Sequence, residues 1–551
     1  MDKVNLPGNL KPVLSRQKNM VFFLLLLASV IALYARFLSN PLVFDDLYLF
    51  MMDAAGHQPV SDSHFSLFEL RSLPYATLAW TKAWFGLDLI NFRIGNLLLH
   101  AGVVLTLFFF LSSLFTEVIG DDKKESLSPH LAAFFAALLF ALHPVATYAV
   151  GYLVQRTMIM ATLFSLLAMT SYLLGSLRRQ PLWLWMTVPF YYLAVFSKEH
   201  AIMLPAALLA FTVLLHADWP TKLKQQVPLF ACLAAIAIFV VLARKEMLGS
   251  VYEINAPDML RQSEGVASYP LSLVTQCWLF FKYAGLWLLP NPAWMSIDMR
   301  EPFAQTLFSP YLIAFFAFVA WGTGACWLLL KRGSMGLLGF ALLYPWLMFM
   351  TEFSSVRIQE VFVLYRSYLW APMAFCLLPL IFAKVNARTA ALVLSLLALA
   401  VIPISMDRLM TLSHPFLLWD DAAKLVKNHL DLPGVSRIFY NRGTESIHLG
   451  NLDQAGVDLK QAVTLSPRFI EAHGNLGAAY FDKADWKNAV AAFGRAIEIA
   501  NEDHKTISPR YIHGRAQAFE KLGEFEKAQQ DYRESCRLAN RGCDKVKPES
   551  K

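Results

Sequence analysis

The sequence predicts an all-α chain: a polytopic membrane helix bundle of about eleven spans, followed by a C-terminal superhelix of helical repeats. Three observations predict it. Of 551 residues, 56% are hydrophobic and only 16% charged, and the apolar residues between Met20 and Met406 come in blocks of membrane-crossing length rather than at the spacing of a soluble core. Basic residues sit in short pairs between those blocks: Lys123 with Lys124, Arg178 with Arg179, Lys222 with Lys224, Lys331 with Arg332, and Lys384 with Arg388. After Met406 the composition turns polar and a 34-residue period begins.

The first apolar block, Met20 to Leu38, follows Lys3, Lys11, Arg16 and Lys18. It is long for a signal peptide and lacks a small-residue cleavage site, so it reads as a retained span with the N-terminus in the cytoplasm. Placing every basic pair on the cytoplasmic side gives spans at 20–38, 94–116, 130–144, 157–176, 182–197, 200–216, 226–243, 310–330, 335–351, 367–384 and 388–406. The block 271–289 then falls within an external region, 244–309, as a re-entrant or interfacial segment, and Arg244 and Lys245 sit on the disfavoured side. An odd number of spans puts the C-terminus opposite the N-terminus. The net charge of +7 is accounted for by the basic loops and calls for no nucleic-acid partner.

The chain divides at residue 409 into a membrane domain, 1–409, and a repeat domain, 410–551. Gly443 and Gly477, Gly450 and Ala484, Leu452 and Trp486, and Ala455 and Ala489 are each 34 residues apart. A third unit with Ala516, Phe519, Gly523, Phe525 and Ala528 in matching positions gives repeats at 436–467, 468–501 and 507–540. This is the period of tetratricopeptide helix pairs, in which small residues recur where paired helices approach closely. The stretch around Trp419 to His429 fits a cap helix. Of six cysteines, Cys232, Cys277, Cys326 and Cys376 lie in apolar segments. Cys536 and Cys543 flank a helix stop, Asn540-Arg541-Gly542, that can fold the second sulfur back toward the first if the compartment is oxidising.

Ionisable residues close to apolar segments, outside the basic pairs, cluster in four external loops, and function is expected there. Asp45 and Asp46 follow the first span. Adjacent carboxylates near a membrane repel each other unless a cation or a reacting hydroxyl compensates, although a helix N-cap is an equally good reading of the residue types. The 143–156 turn carries His143 and Arg156, the 197–200 turn carries Lys198 and Glu199, and 352–366 carries Glu352, Arg357, Glu360, Tyr365 and Arg366. Taken singly, these fit a turn, a snorkelling anchor, a structural ion pair and an interfacial belt.

Taken together they form a pattern. His-Pro-Val-x-Thr-x-Ala-Val…Gln-Arg at 143–156, Ser-Lys-Glu-x-Ala-x-x-Leu-Pro at 197–205, Leu-Leu-Pro at 288–290 with Asp298 after it, and Gln-Glu-Val-Phe…Tyr-Arg-x-Tyr-Leu at 359–369 resemble bacterial membrane proteins with C-terminal tetratricopeptide repeats. Those in turn resemble the eukaryotic transmembrane and tetratricopeptide-repeat O-mannosyltransferases. The resemblance implies a C-type glycosyltransferase fold in a bacterial inner membrane, with the repeat domain in the periplasm. It implies a polyprenyl-phosphate sugar as donor and an exported protein as acceptor, held in the repeat groove and modified on Ser or Thr hydroxyls. By the same resemblance Asp45 is the general base and Asp46 its support. Arg156, Arg366, Lys198 and Arg357 are the donor-phosphate cations, and His143, Glu199, Glu360 and Tyr365 orient the substrate. No cofactor is specified; some enzymes of that fold hold a divalent cation beside the acidic pair, here Asp45 and Asp46, and others do not. Ala146, Tyr148, Gln155, Thr157, Met158 and Leu364 depart from the eukaryotic pattern, leaving the sugar open. A lipid or glycan acceptor, and a non-enzymatic membrane scaffold, are the alternatives.

Overall fold

A computed structural model of the chain describes residues 10–51, 59–120, 127–178, 180–250, 268–358 and 360–546. Lys3, Lys123, Lys124, Arg179 and Gln359 lie outside the described residues. Among those described, the structure is all-helical, with one isolated antiparallel bridge between Met299 and Phe362. The chain forms two compact units: Met1–Met299 with Phe303–His414, and Arg300–Pro302 with Pro415–Lys551.

Among the described residues of the first unit, six helices are long and apolar enough to cross a membrane: Asn19–Phe37, Leu89–Ile119, Leu153–Arg178, Pro310–Leu330, Gly333–Ser354 and Ala387–Thr411. Two bent pairs, Pro129–Leu142 with Pro144–Val150 and Trp219–Gln225 with Val227–Ala243, raise the number to eight if each is one span. The expected count of about eleven is therefore not met, and the reason is length. The Pro181–Ser197 helix has 17 residues and Leu204–Leu215 has 12, and at about 1.5 Å per residue neither reaches the ~30 Å of a hydrocarbon core. The segment expected to span at 367–384 is a series of short turns, Leu364–Leu369, Ala371–Leu377 and Leu378–Ile381. The segment 271–289, expected to be re-entrant or interfacial, is one continuous helix, Ser268–Leu288, which agrees with the second form and not the first.

Close helix pairs are set by small residues, the usual device where apolar burial gives no preference between neighbour and lipid. A methyl group at Gly175 would run into the backbone of Leu184, and one at Gly339 into the backbone around Leu329. These two glycines let Arg156–Arg178 lie against Pro181–Ser197 and Gly333–Phe349 against Pro310–Leu330.

The second unit consists of the Pro415–Val426 helix and three helix pairs: Val435–His448 with Leu452–Leu465, Ile470–Asp482 with Trp486–Glu502, and Pro509–Leu522 with Phe525–Ala539. Asn451 and Asp485 cap the second helix of the first two pairs by accepting from the amides of Gln454 and Asn488. In the first repeat Arg442 bonds both oxygens of Asp458, at 2.9 and 2.7 Å, and in the third Arg515 does the same to Asp531, at 2.7 and 2.8 Å. The period places Leu476 and Ala492 in the corresponding positions of the middle repeat, and they pack in one apolar cluster. At the C-terminal end Asn540 takes a left-handed conformation that stops the helix, and Cys536 and Cys543 are joined by a disulfide, their Cα atoms 4.9 Å apart.

Candidate functional site

The site begins with two buried arginines that each bond several protein acceptors. Arg93, on the Leu89–Ile119 helix, donates from Nε to Asn40 O at 2.9 Å, from Nη2 to Pro41 O at 2.5 Å and from Nη1 to Gly151 O at 2.7 Å. It thus ties the segment entering Asp45 to the turn before Arg156. Arg156 donates to Asn96 Oδ1 at 2.8 Å, Phe92 O at 2.8 Å and Thr77 Oγ1 at 3.2 Å. Its guanidinium is engaged by protein acceptors, and Arg156 is not among the residues that line the cavity described below.

Between these staples, Phe44 has φ 53°, and the short helix Asp45–Phe50 starts immediately after it. The two carboxylates diverge. Asp46 is fully buried, accepting the amides of Val154 at 2.9 Å and Leu153 at 3.3 Å. Burial pushes its carboxyl up to about 7, against the opposing pull of those amides and of Arg93. Asp45 lines the cavity, and its amide donates to the Tyr152 hydroxyl at 2.9 Å. Tyr152 is itself held protonated, by burial first and then by Asp45 and Asp46. Each Asp46 oxygen accepts one backbone amide. No three His, Cys, Asp or Glu side chains gather as a metal site among the described residues.

The cavity has a volume of about 950 Å³ and draws on each of the four loops. Asp45, Lys198, Glu199, Arg357, Glu360, Tyr365 and Arg366 line it, and Ala237, Val240, Val241 and Met350 give it an apolar wall. Within its charged part Arg71 makes a two-pronged pair with Glu199. Glu352, almost wholly buried, lies 2.9 Å from Arg366 Nη1, 3.8 Å from Arg357 Nε and 3.4 Å from His200 Nε2. Arg366 also reaches Glu360 at 3.5 Å. Lys198 is 9% exposed, and among the described residues its ammonium makes no hydrogen bond or salt bridge. Burial, followed by Arg71, Arg366 and Arg357 against the opposing Glu199, pushes it down to about 7.

His143, expected to orient substrate, lies outside the lining. Its ring stacks on Trp287 with centroids 4.3 Å apart, and Nδ1 accepts the amide of Val145 at 3.3 Å, so it closes the turn after the Pro129–Leu142 helix.

Comparison with known proteins gives two findings. Residues 436–469 and 468–541 match the tetratricopeptide repeat family. The C-terminal region carries tetratricopeptide repeats. The chain is also 35% identical over 89 residues to the human protein O-mannosyl-transferase TMTC4, a match spanning 16% of this chain and 12% of the human protein.

Arg71, His200, Arg244 and Tyr152 are the site residues that sequence reasoning did not single out. Arg71 and Glu199 are separated by 128 positions, and nothing local links them. A signal did exist for the staples: Arg93, Asn96 and His100 make a polar stripe at helical spacing on an otherwise apolar helix. Such a stripe in a membrane segment marks a buried network by default.

Proposed function

We propose that this chain is a membrane glycosyltransferase that moves a sugar from a polyprenyl-phosphate carrier to Ser or Thr hydroxyls of an exported protein, on the non-cytoplasmic face. The observation that carries the reading is one cavity in which the Asp45 carboxylate faces the same space as Lys198, Arg357 and Arg366 beside an apolar wall. Two further findings support it: the partial similarity to a protein O-mannosyl-transferase and the tetratricopeptide repeats, whose concave surfaces take extended or helical peptides.

The chemistry follows from these groups. The acceptor hydroxyl oxygen attacks the anomeric carbon while the bond from that carbon to the phosphate oxygen breaks. The hydroxyl proton passes to Asp45, and the electron pair of the broken bond leaves on the polyprenyl phosphate. Arg366, Arg357 and Lys198 stabilise the charge that develops there. Asp46 acts at one remove: by holding the Leu153 and Val154 amides it fixes the direction of the short helix that presents Asp45. The apolar wall suits the start of the polyprenyl chain.

The test is glycoproteomics of cells carrying Asp45→Asn against wild type. Loss of a defined set of O-glycosylated exported peptides is expected, and an unchanged set would refute the assignment. Removing residues 415–551 separates the acceptor classes. Transfer to protein should be lost; transfer to a lipid or glycan acceptor that survives truncation favours the second class.

A further inference from the structure

We propose that the cavity takes up its phosphodiester anion together with one proton, and that Lys198 is the group that receives the proton. The inference rests on reading the cavity as a phosphate site and adds to it how the charge is balanced.

The argument starts from charge. Arg71, Arg357 and Arg366 face Glu199, Glu352 and Glu360 within paired or near-paired distance. Arg244, at the end of the Val227–Ala243 helix, and Asp45 bring one charge of each sign to the same lining. Among the described residues these eight groups sum to zero. Lys198 is the addition: a nine-tenths-buried ammonium pointed into the space with no partner among the described residues. Protonated and alone, it leaves one uncompensated buried charge, which is costly. A neutral Lys198 with an empty cavity, or a protonated one with a bound monoanion, removes that cost. The remaining titratable neighbours are His200, held 3.4 Å from Glu352, and the hydroxyls of Tyr48, Tyr75 and Tyr365. Burial among guanidiniums already brings Lys198 to about 7, so the exchange falls within the physiological range.

A lipid-linked sugar phosphate is a diester, carrying one negative charge that does not change between about pH 5 and 9, so any pH dependence of its binding belongs to the protein. Octyl methyl phosphate has the same charge chemistry and serves as the probe, titrated against the full chain in non-ionic detergent. Affinity is expected to be flat below about pH 7 and to fall close to ~10-fold per unit above it. Lys198→Arg, which keeps its proton throughout, should bind with no such slope, and Lys198→Met should bind weakly at every pH. A wild type without slope, or a slope that persists in Lys198→Arg, overturns the proposal while leaving the phosphate reading intact. No binding of the probe at any pH overturns both. Octyl mannosyl phosphate displacing the probe at lower concentration than phosphatidylglycerol supports a donor site. The reverse order would assign the cavity to bulk lipid and overturn the donor reading, with the coupled proton still decided by the slope.

Discussion

Replacing Arg156 with methionine should damage the fold before it damages any ligand site. The guanidinium is buried and donates to three acceptors contributed by two helices. Thr77 is not stranded by its loss, because its hydroxyl already donates to Pro74 O at 2.7 Å. Phe92 O keeps the amide of Asn96 within its helix, so Asn96 Oδ1 is the acceptor left stranded, and one buried unsatisfied acceptor costs about 1–3 kcal/mol. Lysine offers one ammonium in place of a planar fork and should recover only part of it. The assay is the fraction of full-length protein that stays monodisperse in detergent after heating. Arg156→Met is expected to aggregate at lower temperature, and adding Asn96→Leu should restore part of the loss by removing a stranded acceptor. An Arg156→Met protein that withstood heat like wild type yet failed to bind octyl methyl phosphate would refute the staple and return Arg156 to the phosphate cations.

Two further outcomes can be checked. Because burial raises the Asp46 pKa from 3.8 to about 7, the folded chain holds a proton that the unfolded chain has lost within that window. Its contribution is full below about pH 4 and disappears as pH rises through 7, by up to about 4 kcal/mol; heat resistance measured across this range should slope downward in wild type and lose that slope in Asp46→Asn. Breaking the Cys536–Cys543 bridge, by reduction or Cys536→Ser, frees a short loop whose closure contributes about 2 kcal/mol. Trypsin should then cut at Arg541 sooner, and equal cleavage rates would show that the bonds from Gln529 to Lys545 O and from Ser535 to Arg541 O hold the end unaided.

Legibility followed range. The 34-residue period is a local, repeated signal, and the helix pairs lie where Gly443, Gly477 and Ala516 place them. Span counting failed where the apolar run did not reveal the helix length: 367–384 is apolar throughout most of its length yet breaks into short turns around Pro372 and Pro379. At the site, Lys198, Glu360, Tyr365 and Arg366 were found from motifs, and the loops carrying them do meet in one cavity. Arg156 and His143, expected at the same site, lie outside that lining for the opposite reason. A sequence shows that a charge or an imidazole lies near a membrane face, but not whether Asn96, Phe92 or Trp287 will meet it first. The Arg71–Glu199 pair joins residues with no common periodicity, so only the folded chain reveals it.

Phe44 adopts a positive φ that disfavours any residue with a Cβ, by about 1 kcal/mol or more, and its ring meets that of Tyr152 edge-on, with centroids 6.2 Å apart. A glycine at 44 would relieve the backbone and leave the peptide free to turn. A screen for thermal tolerance would weigh that relief against the lost ring contact and the added freedom of the unfolded chain. In the reading that makes Asp45 the base, a screen for turnover would reject the change outright, because the direction of Asp45 is set at this peptide, so position 44 is where the two screens should disagree.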